Sequence, residues 1–431
     1  MNGEFIPTQY LLQSVKTGQQ FCDKGWTLDA PNEKEPSLIR TIYEEVQINL
    51  KDPSLGLFRF YDWLPVMRYL EGSSAPVTYK SQGLGDHLGL ENLFVTFSGY
   101  WPEKGVRMRT CSFKETEAYS VCGRIPENAK GVLVVASAGN TARAFARVCS
   151  DNKMPLLLCI PEDALDAMWF DTPIDSKYVK LVCTRSGSDY FDAIHLSNKI
   201  VTLPSFYAEG GARNVARRDG MGTTTLSAVT TIGRIPDYYF QAIGSGTGAI
   251  AAWEAVDRLM VDGRFGTNRM KLMVSQNDPF LAIYNAWKAG SRQLIPIDDD
   301  EARRQSEAIV AKVLANRFPP YPVHGGLYDC LKASGGDVLK VTNEEALAAA
   351  DLFKELEGID ILPAAAVAAA SLINVVKEGR IAKDATIMLN ITGGGKERFM
   401  SEHDIVYMQP DHVFEINPPA EEIKKVMNKL F

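Results

Sequence analysis

A repeated pattern of apolar strand, small-residue turn and helix constrains the fold of this chain more than any other feature. The apolar run from Gly131 to Ala136 leads into Ser137-Ala138-Gly139-Asn140-Thr141, and the helix predicted next runs from Thr141 to Ser150. A second apolar run, Tyr239 to Ile243, leads directly into Gly244-Ser245-Gly246-Thr247-Gly248 and an alanine-rich segment. Fully apolar strands that alternate with helices are typical of parallel sheets covered on both faces. The pattern therefore predicts an α/β fold with mostly parallel sheets.

Further strands of this kind divide the chain into two α/β units. A small domain is predicted over residues 126–214, and a large domain over 61–125 together with 215–431. Residues 1–60 show no strong period and are interpreted as an N-terminal extension. The strands that define the two units are predicted at 131–136, 155–161, 179–182, 238–243, 271–275 and 386–391.

The charge and the cysteines argue against several classes of function. The formal net charge of −7 argues against nucleic acid or an anionic membrane as the main partner. The seven cysteines are odd in number and include no C-x-x-C pair, which argues against a disulfide framework and a cysteine-rich zinc site. The start of the chain lacks the basic and apolar regions of a secretory signal, and no segment has the length of a convincing membrane helix. We therefore expect a cytoplasmic protein without a metal site.

Both small-residue turns have the chemistry of anion sites. A turn between a strand and a helix exposes free backbone N–H groups at the positive end of the helix dipole, and small residues let an anion approach them. The turn at 137–141 suits a carboxylate, whereas the successive glycines at 244–248 suit a phosphate dianion. Taken alone, the first turn fits an ordinary capped helix start better. A dinucleotide-binding motif is the main alternative for the second turn, but its third glycine comes too soon and the strand at 271–275 lacks the acidic end residue that would hold a ribose.

Lys114 is the candidate for covalent chemistry. It follows Ser112-Phe113 at a predicted helix start, with Cys111, Arg107 and Arg109 just before it. An amine that attacks an aldehyde must first lose its proton, and burial or nearby positive charge favours this loss. On position alone, a solvated surface lysine is the simpler interpretation, because the chain holds many such residues.

Taken together, four motifs resemble those of the fold-type II family of pyridoxal 5'-phosphate (PLP) enzymes. They are Ser112-Phe113-Lys114, the turns at 137–141 and 244–248, and Thr392-Gly393-Gly394-Gly395. The resemblance covers most of the chain, to about Lys396, and implies a tryptophan synthase β-like fold with the cofactor between two parallel-sheet α/β domains. It also implies that Lys114 binds the cofactor covalently and acts as the catalytic base.

The same resemblance assigns roles to the turns. Asn140 would lie beside the 3'-oxygen of the cofactor, and Thr392 would hydrogen-bond its pyridine nitrogen. Members of the family usually form dimers, so a homodimer is expected. The substrate carboxylate is expected at the other residues of the first turn, Ser137, Ala138, Gly139 and Thr141. The cofactor phosphate is expected at Gly244, Ser245, Gly246, Thr247 and Gly248.

Within the family, the sequence is most similar to threonine synthases and to their relatives, the cysteate synthases. Threonine synthases commonly place an Asp-Arg pair after the lysine motif, where this chain has Glu115-Thr116, and an Asn-Pro-Thr-Gly turn before it. In place of that turn the chain carries Arg107 and Arg109, which either receive an additional substrate anion or belong to a solvated loop. Three further arginines add to this charge or lie on a surface helix face: Arg213, Arg217 and Arg218.

The expected reaction is therefore a β-replacement that converts O-phospho-L-serine and sulfite into L-cysteate and phosphate, as in cysteate synthases. The alternatives are a threonine synthase acting on O-phosphohomoserine and a catalytically inactive PLP-fold binding protein. The intact lysine, phosphate turn and threonine argue against the inactive protein. A PLP-dependent dehydratase or ammonia-lyase is a further alternative, and the need for a phosphorylated substrate separates it from the others.

Overall fold

The computed structural model, which describes residues 5–137 and 139–431, alternates strands and helices along most of the chain. The strands are β1 (Tyr10–Ser14), β2 (Gln20–Phe21), β3 (Ile39–Tyr43), β4 (Val77–Lys80), β5 (Asn92–Phe97), β6 (Tyr100–Trp101), β7 (Val106–Arg107), β8 (Val132–Ala136), β9 (Leu156–Pro161), β10 (Trp169–Phe170), β11 (Val179–Thr184), β12 (Phe206–Ala208), β13 (Tyr238–Ala242), β14 (Lys271–Asn277), β15 (Asp337–Val341), β16 (Thr386–Ile391), β17 (Val406–Tyr407) and β18 (His412–Phe414). The α-helices are α1 (Gly83–Leu88), α2 (Lys114–Gly123), α3 (Asn140–Asp151), α4 (Tyr190–Ile200), α5 (Val215–Ile232), α6 (Thr247–Asp262), α7 (Ala282–Lys288), α8 (Asp299–Ala308), α9 (Leu327–Ser334), α10 (Asn343–Glu357), α11 (Pro363–Lys377), α12 (Lys396–Glu402) and α13 (Ala420–Leu430). Within the described ranges, no helix is long and apolar enough to span a bilayer.

A six-stranded sheet in the order β15-β14-β13-β16-β5-β4 forms the larger unit. Its neighbouring strands are parallel, except that β4 is antiparallel to β5. Along β16, Leu389 lies in the core on the α11 face, whereas Met388 lies in the core on the α6 face. Because side chains alternate between the faces of a strand, this central strand is apolar on both sides, which explains its continuous apolar sequence.

A five-stranded parallel sheet in the order β12-β8-β9-β11-β18 forms the smaller unit. Helix α3 packs on one of its faces, and α4 packs on the other together with α13. Strand β18 and helix α13 belong to this unit, so the assignment of all of residues 215–431 to the large domain is wrong for the C-terminal segment. The physical reason is that β18 pairs with β11 while α13 covers the apolar face beside α4.

The N-terminal extension contains a three-stranded antiparallel sheet in the order β2-β1-β3. The hydroxyls of Thr41 and Tyr43 donate hydrogen bonds to the carboxylate of Asp219 in α5, at 2.7 and 2.6 Å. These hydrogen bonds fix the extension to α5, which packs against α2.

The carboxyl ends of three parallel strands position the predicted motifs. The turn at 137–141 follows β8 in the smaller sheet, the turn at 244–248 follows β13 in the larger sheet, and Thr392 follows β16. Ligands of open α/β sheets bind beyond the carboxyl ends of the strands, so this topology supplies a common site.

Candidate active site

Lys114 is the first residue of α2, and the loop before it is fixed to the loop after β16. The backbone N–H of Phe113 donates to the carbonyl oxygen of Thr392 at 2.9 Å, and Ser112 forms an isolated antiparallel bridge with Gly393. A Cβ atom at Gly393 would lie 2.8 Å from the carbonyl oxygen of Cys111, so this approach requires glycine. The lysine motif and the late glycine-rich turn therefore meet, although they are far apart in sequence.

The side chain of Lys114 lies in a largely enclosed space. It is 20% exposed, and its Nζ lies 3.2 Å from Oε2 of Glu117. Its neighbour Phe113 packs against Met221 of α5 and Ala251 of α6. Burial lowers the pKa of Lys114, while the carboxylate of Glu117 opposes this change. A lowered pKa supplies the neutral amine that attack on an aldehyde requires.

Glu117 belongs to this site, although the sequence analysis missed it. Its side chain is fully buried, and Oε1 accepts a hydrogen bond from the hydroxyl of Thr141 at 3.0 Å. Arg217 of α5 lies 3.3 Å from the same oxygen and donates two hydrogen bonds to Glu209, at 2.8 and 2.7 Å. The three-residue spacing from Lys114 on a predicted helix is a signal that identifies Glu117 from sequence alone.

The turn after β8 presents backbone donors at the start of α3. The amides of Asn140 and Thr141 have no hydrogen-bond partner within residues 5–137 and 139–431, whereas the amide of Gly139 donates to Oγ of Ser137 at 3.2 Å. The hydroxyl of Thr141 makes the hydrogen bond to the buried carboxylate described above. Ala138, which was also predicted to bind substrate, lies outside the described residues. The open amides at a helix N-terminus fit a carboxylate.

Arg143, one turn into α3, fixes the side chain of Asn140. Its Nη2 donates to Oδ1 of Asn140 at 2.8 Å, so the Nδ2 group of Asn140 is the end that can donate to another partner. Arg143 also donates to the carbonyl oxygens of Ala167 and Thr110, at 2.7 and 3.0 Å, and its guanidinium lies 4.0 Å from the ring centre of Trp169. Arg143 belongs to none of the sequence motifs and was not predicted as a site residue.

No carboxylate in the described ranges forms an ion pair with Arg143, although the buried Glu115 acts on its charge from beyond ion-pair distance. The side chain of Arg143 is 3% exposed, and its buried Nε has no hydrogen-bond partner within the described ranges. Burial lowers the pKa of Arg143 to about 10. A buried guanidinium that forms no ion pair increases the positive potential of the predicted substrate turn beside it, although Glu115 offsets part of this charge.

The turn after β13 has the geometry of a phosphate cradle. In the described part of the chain, no hydrogen-bond partner is present for the amides of Gly244, Ser245, Gly246 and Gly248, and Gly246 has a φ of 77° at the N-cap of α6. The amide of Thr247 donates to Oγ of Ser245 at 3.2 Å, and the two hydroxyls lie 2.8 Å apart. Four free amides at the start of a sixteen-residue helix fit a phosphate dianion.

Thr392 directly follows β16 and is 8% exposed. Its carbonyl oxygen is occupied by the amide of Phe113, but its hydroxyl has no hydrogen-bond partner in the described residues. The hydroxyl is therefore available to hydrogen-bond a ligand.

Val313 links the two anion turns. A Cβ atom at Gly139 would lie 3.6 Å from Cγ1 of Val313, and one at Gly244 would lie 3.2 Å from its carbonyl oxygen. The segment that carries Val313 follows α8 in the larger unit, and its Arg317 pairs with Asp189 of the smaller unit at 2.7 Å. The two turns therefore face a common space, which this segment partly covers.

The structure corrects the role predicted for Arg109. Its guanidinium donates to both carboxylate oxygens of Asp171, each at 2.7 Å, and to Asp151 at 2.9 Å. Two carboxylates thus neutralise Arg109, so its guanidinium is not available to a substrate anion. Arg107 is exposed at the end of β7, and its side-chain nitrogens have no hydrogen-bond partner among the residues described.

The remaining arginines are also paired with acids. Arg213 is exposed and lies 2.9 Å from Asp29, whereas Arg218 is buried and lies 2.8 Å from Glu254. The interpretation of these residues as a surface helix face is therefore wrong for Arg217 and Arg218, which lie inside the protein.

The assembled residues fit PLP. Free amides and hydroxyls at the start of α6 match its phosphate, the enclosed amine of Lys114 matches its aldehyde, and the free hydroxyl of Thr392 matches its ring nitrogen. A family model described as "Pyridoxal-phosphate dependent enzyme" matches residues 98–393, which include every predicted site residue. The chain belongs to this family. Its cofactor is PLP, as the sequence predicted.

Relatives in the family are similar over nearly the whole chain. A protein of Methanosarcina acetivorans named cysteate synthase is 47% identical over 421 residues, which cover 96% of this chain and 99% of the relative. A cysteate synthase of Methanocella paludicola is 50% identical over 374 residues, which cover 86% and 87% of the two chains.

Solved structures confirm the fold-type II architecture. A fungal L-serine ammonia-lyase from Rhizomucor miehei has a TM-score of 0.57 at 14% identity, covering 83% of this chain and 98% of its own. Serine racemase from Dictyostelium discoideum has a TM-score of 0.54 at 17% identity, covering 74% and 91%. At these identities the similarity concerns the fold and not the reaction.

Proposed function

We propose that this enzyme is a cysteate synthase, which converts O-phospho-L-serine and sulfite into L-cysteate and phosphate. The observation that carries the proposal is the 47% identity to a cysteate synthase over 96% of this chain. The reaction breaks the bond between the β-carbon and the phosphate oxygen and forms a bond from the β-carbon to sulfur. When bound, PLP supplies the electron sink that makes the α-proton acidic and the phosphate able to leave.

Each residue of the site has a separate role in the proposed reaction. The amides of Asn140 and Thr141 bind the substrate carboxylate, and Nδ2 of Asn140 donates toward the cofactor. Nζ of Lys114 would hold the aldehyde of the cofactor and, as a free amine, would remove the α-proton and become an ammonium. The hydroxyl of Thr392 would bond the ring nitrogen without protonating it, which would favour replacement at the β-carbon over transamination.

The test is phosphate release from O-phosphoserine and from O-phosphohomoserine, each with and without sulfite, with the products identified by mass. We expect O-phosphoserine to give a sulfonated amino acid only when sulfite is present. Threonine formed from O-phosphohomoserine, independent of sulfite, would overturn the proposal and identify a threonine synthase. Elimination without a phosphorylated substrate would identify a dehydratase or ammonia-lyase.

Arg107 remains our proposal for a group that attracts the anionic substrates. Its exposed guanidinium has no partner in the described residues, and Arg107 ends the β6–β7 hairpin that precedes Lys114. Arg107→Ala should then raise the KM for O-phosphoserine or sulfite and leave the bound cofactor unchanged. An unaltered KM for both would remove Arg107 from the site.

We also propose that the six-stranded unit holds the cofactor and that the five-stranded unit binds the substrate, in a cytoplasmic homodimer. Seven free cysteines in the structure support a reducing compartment. Light scattering coupled to gel filtration measures the mass, and a value of one chain would contradict the dimer.

A further inference from the structure

The buried carboxylate of Glu117 lies where it can control the free amine of Lys114. The two residues are one turn apart on α2, and the distance from Nζ to Oε2 is 3.2 Å. In the reaction proposed above, Lys114 would act on the substrate as a free amine. In this form Nζ must first accept the α-proton and later give up a proton, so the group next to it determines its basicity.

Three elements fix Glu117 in place. It lies on α2, the hydroxyl of Thr141 at the start of α3 bonds its Oε1 at 3.0 Å, and Arg217 of α5 lies 3.3 Å from the same oxygen. The other oxygen, Oε2, is left to Lys114. The hydrogen bond from Thr141 connects this carboxylate to the turn whose amides would bind the substrate carboxylate.

A purely structural role, in which Glu117 only neutralises Arg217, fits less well. Arg217 already donates two hydrogen bonds to Glu209, at 2.8 and 2.7 Å, and this bidentate pair is the stronger geometry. Glu117 is thus a second carboxylate beside Arg217, and its free oxygen faces the lysine. The alternating charges of Lys114, Glu117, Arg217 and Glu209 sum to zero, so the group is balanced when Nζ carries its proton.

We propose that Glu117 is a positioning residue that holds Nζ of Lys114 and stabilises its ammonium form during turnover. The proposal rests on the role of Lys114 as the cofactor lysine but not on the identity of the substrate. In the proton transfer, the α-carbon to hydrogen bond breaks with its electron pair remaining on the substrate, and a nitrogen to hydrogen bond forms at Nζ. Glu117 keeps its charge throughout and gains a full ion pair.

The test measures the reactivity of Lys114 without any substrate. Full-length protein stripped of cofactor is mixed with PLP over a range of pH and trapped with borohydride, and mass spectrometry measures the labelled Lys114 peptide. The charged groups that act on this amine are Glu117 on α2, Arg217 on α5 and Glu209 after β12. Because Glu117→Gln removes the carboxylate that favours the ammonium form, the midpoint of labelling should fall by about 1–3 pH units.

Two further variants make the outcome decisive. Glu115→Gln is the matched control, since this buried neighbour on the same helical turn pairs with a backbone amide and not with Lys114. It should leave the midpoint unchanged. Glu117→Asp keeps the charge but moves it away from Nζ, so the midpoint of labelling should shift less, in the same direction. If the glutamine variant does not fold, the aspartate variant tests the proposal in its place. Identical midpoints in wild type and the folded Glu117 variant would overturn the proposal.

The same experiment separates this inference from the proposed function. If wild-type Lys114 is not labelled, the cofactor lysine has been assigned wrongly and both ideas fail. If it is labelled with the expected shifts but no sulfonated product forms, only the substrate assignment is wrong and the role of Glu117 stands.

Discussion

Replacing Glu115 with glutamine should remove a pH-dependent loss of stability. The side chain of Glu115 is 2% exposed, its Oε1 accepts the amide of Thr110 at 2.5 Å, and it forms no ion pair within residues 5–137 and 139–431. Burial raises the pKa of Glu115 from 4.5 to about 7, although the amide of Thr110 and the charges of Arg109 and Arg143 oppose this rise.

The sign of the effect follows from where the proton is bound. Between pH 4.5 and about 7, the folded protein keeps a proton on Glu115 that the unfolded chain has released. The free energy of unfolding therefore falls as the pH rises through this window, and the loss is complete above about pH 7. A shift from 4.5 to about 7 corresponds to about 3 kcal/mol, at about 1.4 kcal/mol per pH unit.

The assay is urea unfolding of wild type and Glu115→Gln at a series of pH values across that window. Glutamine keeps the acceptor for the amide of Thr110 but cannot ionise, so the variant should gain about 3 kcal/mol relative to wild type between the two ends of the window. Glu421→Gln, at an exposed helix start, is the control and should follow wild type. Coincident fluorescence and circular dichroism transitions check that a single free energy applies. A constant difference between wild type and Glu115→Gln would refute the reasoning.

Two further predictions concern the cofactor and the substrate turn. Gly246→Ala should weaken PLP binding about tenfold or more, measured by titration. The φ of Gly246 is 77°, and the new Cβ would lie 2.7 Å from the side chain of Leu327. The left-handed backbone alone costs a residue other than glycine roughly 1–2 kcal/mol. Gly263→Ala, at the other end of the same helix with a φ of 78° and no close neighbour, should lower stability but not PLP affinity; equal effects on PLP affinity would contradict the cradle. Arg143→Lys removes the hydrogen bond that orients the side chain of Asn140. Because a hydrogen bond to a charged group contributes roughly 1.5–3 kcal/mol, kcat/KM should fall by about tenfold or more. The absorption of the bound cofactor should also shift. An unchanged spectrum and rate would show that Asn140 is held by other means.

Six strands, among them β13 and β16, could be predicted because their signal is local. Each of the central strands, such as β13 and β16, is buried on both faces and therefore appears in the sequence as a short apolar run. Strand β18 could not be found in this way, since its three residues are ordered by pairing with β11, from which they are far apart in sequence. The antiparallel strands of the N-terminal extension were missed for a related reason: one of their faces is partly exposed, so the apolar pattern is weak.

The site could be predicted as far as its motifs are local. Lys114 and the two anion turns are short segments with a composition of their own, and the structure brings them together at the carboxyl ends of the strands. The roles of the arginines could not be predicted, because the acidic residues that pair with them were not known from the sequence. Arg109 looked available in the sequence, but its two carboxylates come from positions 42 and 62 residues away. Glu117 was the residue that sequence spacing could have identified, since its distance from Lys114 is a single helical turn.

The electrostatics of the site also explain how an acidic chain can bind anionic substrates. With a net charge of −7, the protein as a whole does not attract phosphate or sulfite, so the attraction must be local. Arg109, Arg217 and Arg218 do not provide it, because each faces a carboxylate. In the proposed site, neutral amides at the start of α3 would provide it, and they keep their orientation without a counter-ion. Arg143 adds a positive charge that forms no ion pair in the described residues and is only partly offset by Glu115, and it lies within one turn of the amides at the start of α3. The positive potential is thus concentrated at the end of the site where the substrate carboxylate is proposed to bind, which aligns an anionic amino acid before Lys114 acts on it.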